Sequence, residues 1–127
     1  MQIYFYFVNF LFLIMKTHNM TLDAPYFNSV SQKLKKYELR IFDKKRQLIC
    51  LGDIINFKKK DSNQSVNCLV SRVLLFDDFK TALTIFPLDE VLPGISNVDE
   101  ALKIYTDFYS NDLTENGVVM FKLSLIE

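Results

Sequence analysis

Apolar and polar positions alternate most cleanly in Tyr37-Glu38-Leu39-Arg40-Ile41, where the period of two predicts a strand from Tyr37 to about Phe42. Tyr37, Leu39 and Ile41 should face one way, Glu38 and Arg40 the other. The same alternation recurs in Val119, Phe121, Leu123 and Leu125 after the Asn116-Gly117 turn, in His18, Met20 and Leu22 of Lys16–Leu22, and in Ile54–Lys58 after the Gly52-Asp53 turn. Val66–Phe76 is long and only weakly alternating, as suits a strand partly buried on both faces of a curved sheet. Helical spacing appears three times. Tyr26, Phe27, Val30 and Leu34 mark a helix over 24–34, with Asp23 as N-cap and Pro25 in its first turn. Phe79, Ala82, Leu83 and Phe86 mark a second, capped by Asp77 and stopped by Pro87. Val98, Ala101, Leu102, Tyr105, Phe108 and Tyr109 form the buried stripe of a third, capped by Ser96 or Asn97, with Asp99 and Glu100 favouring its N-terminal dipole. Strands at the beginning, middle and end with helices between them predict an α+β fold, not a βαβ series.

A chain of 127 residues, half of them hydrophobic, is one domain's worth and buries a core without staples. The first fifteen residues are set apart. Only Gln2 and Asn9 interrupt an apolar run that carries no charge before Lys16. The run is shorter than the roughly 20 residues a spanning helix needs and lacks the basic and small-residue marks of a secretory signal. It is read as an extension, 1–15, ahead of a domain at 16–127: either a non-native start upstream of Met15 or Met20, a surface anchor, or an added element of the fold. A membrane partner is not expected. Net charge is zero but unevenly placed. Residues 33–60 hold ten Lys/Arg against three acids, a net +7, and residues 61–127 hold four against eleven, a net −7. The basic block either faces a polyanion or is neutralised across the folded surface.

Candidate chemistry concentrates in the basic block. Lys35, Glu38 and Arg40 bring two cations and a carboxylate to one strand and its mouth. That is a polar site, or else an ordinary solvated strand face. Lys36 and Arg46, with lysines 33, 44, 45, 58, 59 and 60, could supply phosphate contacts. Tyr37 or Tyr105 could stack on a base, and Tyr105 and Tyr109 could turn their hydroxyls into a groove. His18 is the single histidine, so a histidine dyad or a multi-histidine metal site has no second member. Cys50 and Cys68 show no metal or redox spacing and read as small apolar residues in strand-like runs, which fits a reducing intracellular compartment, cytoplasmic or nuclear. Neither a metal nor a cofactor is expected.

The run Lys35-x-x-Glu38-x-Arg40, then Phe42-Asp43-x-Lys45-Arg46 and Gly52-Asp53-x-Ile55-x-Phe57, is similar to the ASCH domain of the PUA-like superfamily. Leu92-Pro93-Gly94, Glu100-Ala101-x-x-Ile104-Tyr105-x-x-Phe108-Tyr109 and Gly117-Val118-Val119 continue the likeness, which covers Met20 to Leu125 in order. The resemblance implies a small β-barrel of five or six strands with about three flanking helices. It also implies a cleft beside the helix-to-strand junction, lined by Lys35, Glu38 and Arg40, and binding of RNA or a nucleoside-like ligand there through Lys35, Lys36, Glu38, Arg40, Arg46 and Tyr105. Some small ASCH proteins are amidohydrolases of acylated cytidine nucleosides that use a lysine, a threonine and a distant glutamate. Here the lysine matches Lys35, but Glu38 stands at the threonine position, removing the hydroxyl nucleophile. An enzymatic reading would rest on Lys35 and Glu38 activating water, with Asp89, Glu90, Asp99 or Glu100 as the distant acid.

Overall fold

The computed structural model describes residues 15–109 and 115–127; of the extension read at 1–15, all but Met15 lies outside them. Five strands form one mixed sheet: β1 Thr17–Leu22, β2 Tyr37–Ile41, β3 Ile54–Lys59, β4 Ser65–Phe76 and β5 Val118–Ile126, in the spatial order β1-β3-β4-β5-β2. Only β1 and β3 pair in parallel. Five helices accompany them among the described residues: α1 Ala24–Ser31, α2 Lys44–Gln47, α3 Phe79–Ile85, α4 Leu88–Val91 and α5 Val98–Phe108. The α+β architecture matches the expectation. The two helices beyond the expected three are the single turns α2 and α4.

The spine is β4, whose first half pairs with β3 and whose length pairs with β5. A register shift between Val70 and Arg72 bends it, since an extra residue on one strand kinks the ladder and adds twist. The sheet curls into a half-barrel until its two outer strands face each other. No ladder joins those edges. Instead, Arg40 of β2 donates to the Thr21 carbonyl of β1 at 3.2 Å, and Lys45 of α2 donates to the Asn19 carbonyl at 2.9 Å. Strand edges left unpaired invite association with other chains, and cationic side chains blunt them.

Each face of the sheet carries its own core. Inside lie Met20, Leu22, Ile55, Phe57, Cys68, Val70, Val119, Phe121 and Leu123, covered by Phe27 and Val30 of α1. Outside, Tyr37, Leu39, Ile41, Val118 and Met120 pack against Phe79, Ala82, Leu83, Val91, Ala101 and Tyr105 of α3, α4 and α5. The alternation expected in β2 is therefore real. Yet both of its faces are covered: Glu38 and Arg40, beside Phe121 and Val119 of β5, are largely buried on the inner side. The solvated-face alternative is corrected: Glu38 is only 4% exposed.

Other expectations shift locally. Helix α1 ends at Ser31, not Leu34, because Lys33 takes a left-handed conformation (φ 63°) and turns the chain, leaving Leu34 exposed. Asp23 occupies the N-cap position but makes no side-chain capping bond. The residue capping α3 is Asp78, whose carboxylate accepts from the Thr81 amide at 2.8 Å, not Asp77. Asn97 caps α5. Cys68 is buried as expected, and burial followed by the field of Glu38 pushes its thiol up to about 12, so it is inert. Cys50 is exposed in a loop rather than set in a strand. Among the described residues no helix is long and apolar enough to cross a membrane.

Candidate functional site

The left-handed turn at Lys33 aims Lys35 inward at the mouth of β2. Its ammonium is almost fully buried and donates to the carbonyls of Tyr37, at 2.7 Å, and Val91, with Glu38 Oε1 at 3.4 Å. An ammonium has three protons, so these partners account for its whole donor capacity and tie β2 to α4. The other carboxylate oxygen, Oε2, accepts from Arg40 Nη2 at 3.1 Å, and the same nitrogen donates to Thr21. Lys35, Glu38 and Arg40 thus form one buried row, cation–anion–cation, with a net charge of +1.

Burial, the largest influence on each group, works against charge in all three. For Glu38 it would raise the carboxyl, but Lys35 on one side and Arg40 on the other outweigh it and hold the group below its ordinary value. For Lys35 burial wins, and the ammonium lies below its ordinary value despite Glu38. The asymmetry is physical: Glu38 has two cations beside it, whereas Lys35 has one anion and the repulsion of Arg40 beyond. Arg40 is held charged, since Glu38 and Tyr109 together outweigh its burial.

Above this row opens a cavity of about 350 Å³ that straddles the free edge of β2. Lys35, Glu38, Leu39 and Arg40 form one side, Thr21, Leu22 and Asp23 of the β1 end another, and Tyr26 of α1 a third. Leu92 and one face of α5, contributing Ile104, Tyr105, Phe108 and Tyr109, complete it, with Lys60 at the rim. Ile104, Tyr105 and Phe108 share a face because residues three and four apart are neighbours on a helix, and Tyr109 follows as the C-cap. Tyr105 stacks on Phe79 with ring centroids 4.7 Å apart, and burial, then Glu38, pushes its hydroxyl well above the ordinary value, so it is a neutral donor. Such a cavity is mostly apolar, with a few convergent polar groups fixed by their neighbours.

Of the residues singled out in the sequence, Lys35, Glu38, Arg40, Tyr105 and Tyr109 meet here. Lys36 and Arg46 stand outside: Lys36 approaches Glu90 at 3.5 Å, and Arg46 is bonded to Asp43 at 2.9 Å. Tyr37 is buried against Phe86, away from the cavity. None of Asp89, Glu90, Asp99 or Glu100 lines it. Lys60, one of the lysines read as phosphate contacts, stands at the rim, whereas sequence reasoning missed Tyr26 as a wall and the exposure of Phe108, which it placed in the buried stripe of α5. At a helix end, the apolar period does not distinguish a core residue from one at the mouth of a cleft.

A second buried polar cluster lies at the start of β1. Asp53, 5% exposed, accepts from His18 Nε2 at 2.8 Å, the Cys50 amide at 3.0 Å and the Lys16 amide at 3.2 Å. Burial opposes its ionisation, but these bonds outweigh it and hold the carboxyl low. Its work is to fasten β1 to the 50–53 loop. Among the described residues no group of three or more His, Cys, Asp or Glu side chains is placed to hold a metal ion.

No family model matches the chain, and no curated protein is detectably similar to it. Solved structures are. The hypothetical protein PH0355 is 31% identical over 88% of this chain and 100% of its own, with a TM-score of 0.78. The chain belongs to the same family as PH0355. Protein PF0455 from Pyrococcus furiosus is 27% identical over 87% of this chain and 98% of its own, at a TM-score of 0.72. The ASCH protein from Zymomonas mobilis is 15% identical over 85% of this chain and 66% of its own, at a TM-score of 0.60. The fold is ASCH-like, as the sequence motifs imply. In this ASCH-like fold the motif Lys35-x-x-Glu38-x-Arg40 becomes the buried charged row beneath the cavity.

Proposed function

We propose that the chain is a nucleic-acid-binding module that holds RNA, or a nucleoside-like ligand, in the cleft above Lys35, Glu38 and Arg40. The observation that carries this reading is the combination of a cavity sized for a nucleoside, walled by Tyr26, Tyr105, Phe108 and Tyr109, with a buried row of net positive charge beneath it. Aromatic walls accept the faces of a base, and polar side chains read its edge. The roles divide unequally. Lys35 spends its protons inside the protein and acts as a positioning residue for Glu38. Nη2 of Arg40 is committed to Glu38 and Thr21, and its guanidinium also lies against Tyr109, so a ligand in the cleft meets Arg40 together with the tyrosine hydroxyl. Lys60, loosely paired with Asp23 at 3.9 Å and largely exposed, supplies a phosphate contact.

The enzymatic alternative on Lys35 and Glu38 has less support. Both oxygens of Glu38 are engaged by cations, and the candidate distant acids stand away from the cavity. The test is a salt titration of binding to a panel of single-stranded and structured RNAs. Affinity should fall with rising salt. Arg40→Ala should lower it and erase preference among bases, whereas Lys60→Ala should weaken all sequences alike. Absence of binding across the panel overturns the reading, and turnover of an acylated nucleoside would favour the alternative.

A further inference from the structure

Seven large hydrophobic residues stand exposed among those described: Leu34, Leu48, Leu51, Leu75, Ile85, Phe108 and Ile126. Isolated exposed aliphatics are ordinary on a protein surface. Phe108 differs in three respects. It is the one aromatic among them, it is the most exposed at 70%, and it alone of the seven lines the cavity. Its ring is held in place by an edge-to-face contact with Tyr109, centroids 5.0 Å apart, while Tyr105, one turn earlier, is buried on the inner side of the same cleft. The helix therefore presents a buried ring inside the cleft and an open ring at its mouth. The cavity itself has room for about one nucleoside.

We infer that Phe108 is a stacking platform for a second base, so that the site takes two successive nucleotides of a single strand: one inside, and its neighbour laid on Phe108. This rests on the function proposed above and narrows its ligand from a nucleoside to a polynucleotide. Lys60, on the same rim, is placed for the phosphate that joins the two units. Base–aromatic stacking is tolerant of sequence, so the inner base carries the selectivity and the outer base carries affinity.

The protein contains no tryptophan, so Phe108→Trp introduces a single fluorescent reporter at the mouth of the cleft. Each ribonucleoside and the matching dinucleoside monophosphates are titrated against wild type, Phe108→Ala and Phe108→Trp. Wild type should bind dinucleotides more tightly than nucleosides. Phe108→Ala should lose about 5- to 100-fold for dinucleotides and distinctly less for nucleosides, whose base lies deeper in the cleft; an equal loss for both overturns the platform. Phe108→Trp should restore dinucleotide affinity and be quenched by dinucleotides but not by nucleosides. Since Phe108 packs against little, neither variant should shift the unfolding midpoint, which separates lost stacking from lost fold. Equal dinucleotide binding by wild type and Phe108→Ala overturns the platform while leaving the cleft reading intact. If wild type binds neither nucleosides nor dinucleotides, the cleft reading and the platform fall together.

Discussion

Without the carboxylate of Glu38, Lys35 would keep a buried charge with no anion near it, and Arg40 would lose a bonding partner. Breaking a buried pair by deleting one member typically costs about 3–5 kcal/mol, far more than any exposed pair contributes. Glu38→Ala should therefore lower the unfolding free energy measured by urea denaturation by that amount, while Lys33→Ala, which breaks the exposed 2.7 Å pair with Glu127, should leave it almost unchanged. The pH dependence follows from the same residues. Glu38 and Asp53 are both held below their ordinary values of 4.5 and 3.8. A depressed carboxylate contributes stability that is complete above its unfolded-state value and is lost as pH falls through its folded-state value. Lys35 works in the opposite range: its lowered value costs stability while it is charged, and that cost shrinks as pH rises from the folded value toward 10.5. Denaturation across pH should show stability falling away below about pH 4.5, with a shallower acid limb in Glu38→Gln.

Among the elements, the two carboxylates before α3 make a sharp comparison. Asp78 caps the helix and Asp77 does not, so Asp78→Ala should cost about 1 kcal/mol and Asp77→Ala close to nothing, measured by thermal unfolding. Gly117 is more constrained. It has φ of +80°, and a Cβ there would lie 2.5 Å from the Phe76 carbonyl oxygen, so Gly117→Ala should destabilise by more than about 1 kcal/mol. The elements themselves were largely legible, because period two and period 3.6 report which faces are covered: β2, β4, β5, α3 and α5 lie within a few residues of where the pattern places them. What escaped was set by position in space. Pattern located Glu38 and Arg40 on one face of β2, but not that Tyr26 of α1, Tyr105 of α5 and the edge of β1 would be brought over this face. Tyr26 and Phe108 follow helical spacing like core residues, and only the junction of α1, α5 and two strand edges makes them cleft walls. Asp53 reads as a turn residue, and its bonds to His18 and Lys16 join segments distant in sequence.

Across the whole molecule, the opposed charges of the two halves meet only in part. Lys33–Glu127 and Lys36–Glu90 bridge them, whereas Lys45 spends its charge on the seam at Asn19 and Lys60 stays at the cleft. The sheet order has a consequence for how the chain is made. Among the described residues, β2, which carries the charged row, has one ladder partner, β5, and β5 is synthesised after the other four strands of the sheet. On the ribosome, α1, β1, β3 and β4 can meet early, while β2 waits as an unpaired edge. Pairing between segments so far apart in sequence is slow, because loop closure must come before its reward. A chain stalled before Val118 should therefore protect β3 and β4 amides from hydrogen exchange and leave those of β2 open. The cleft then forms only after β5 has been made, and its assembly reports that synthesis has passed the strand that pairs with β2.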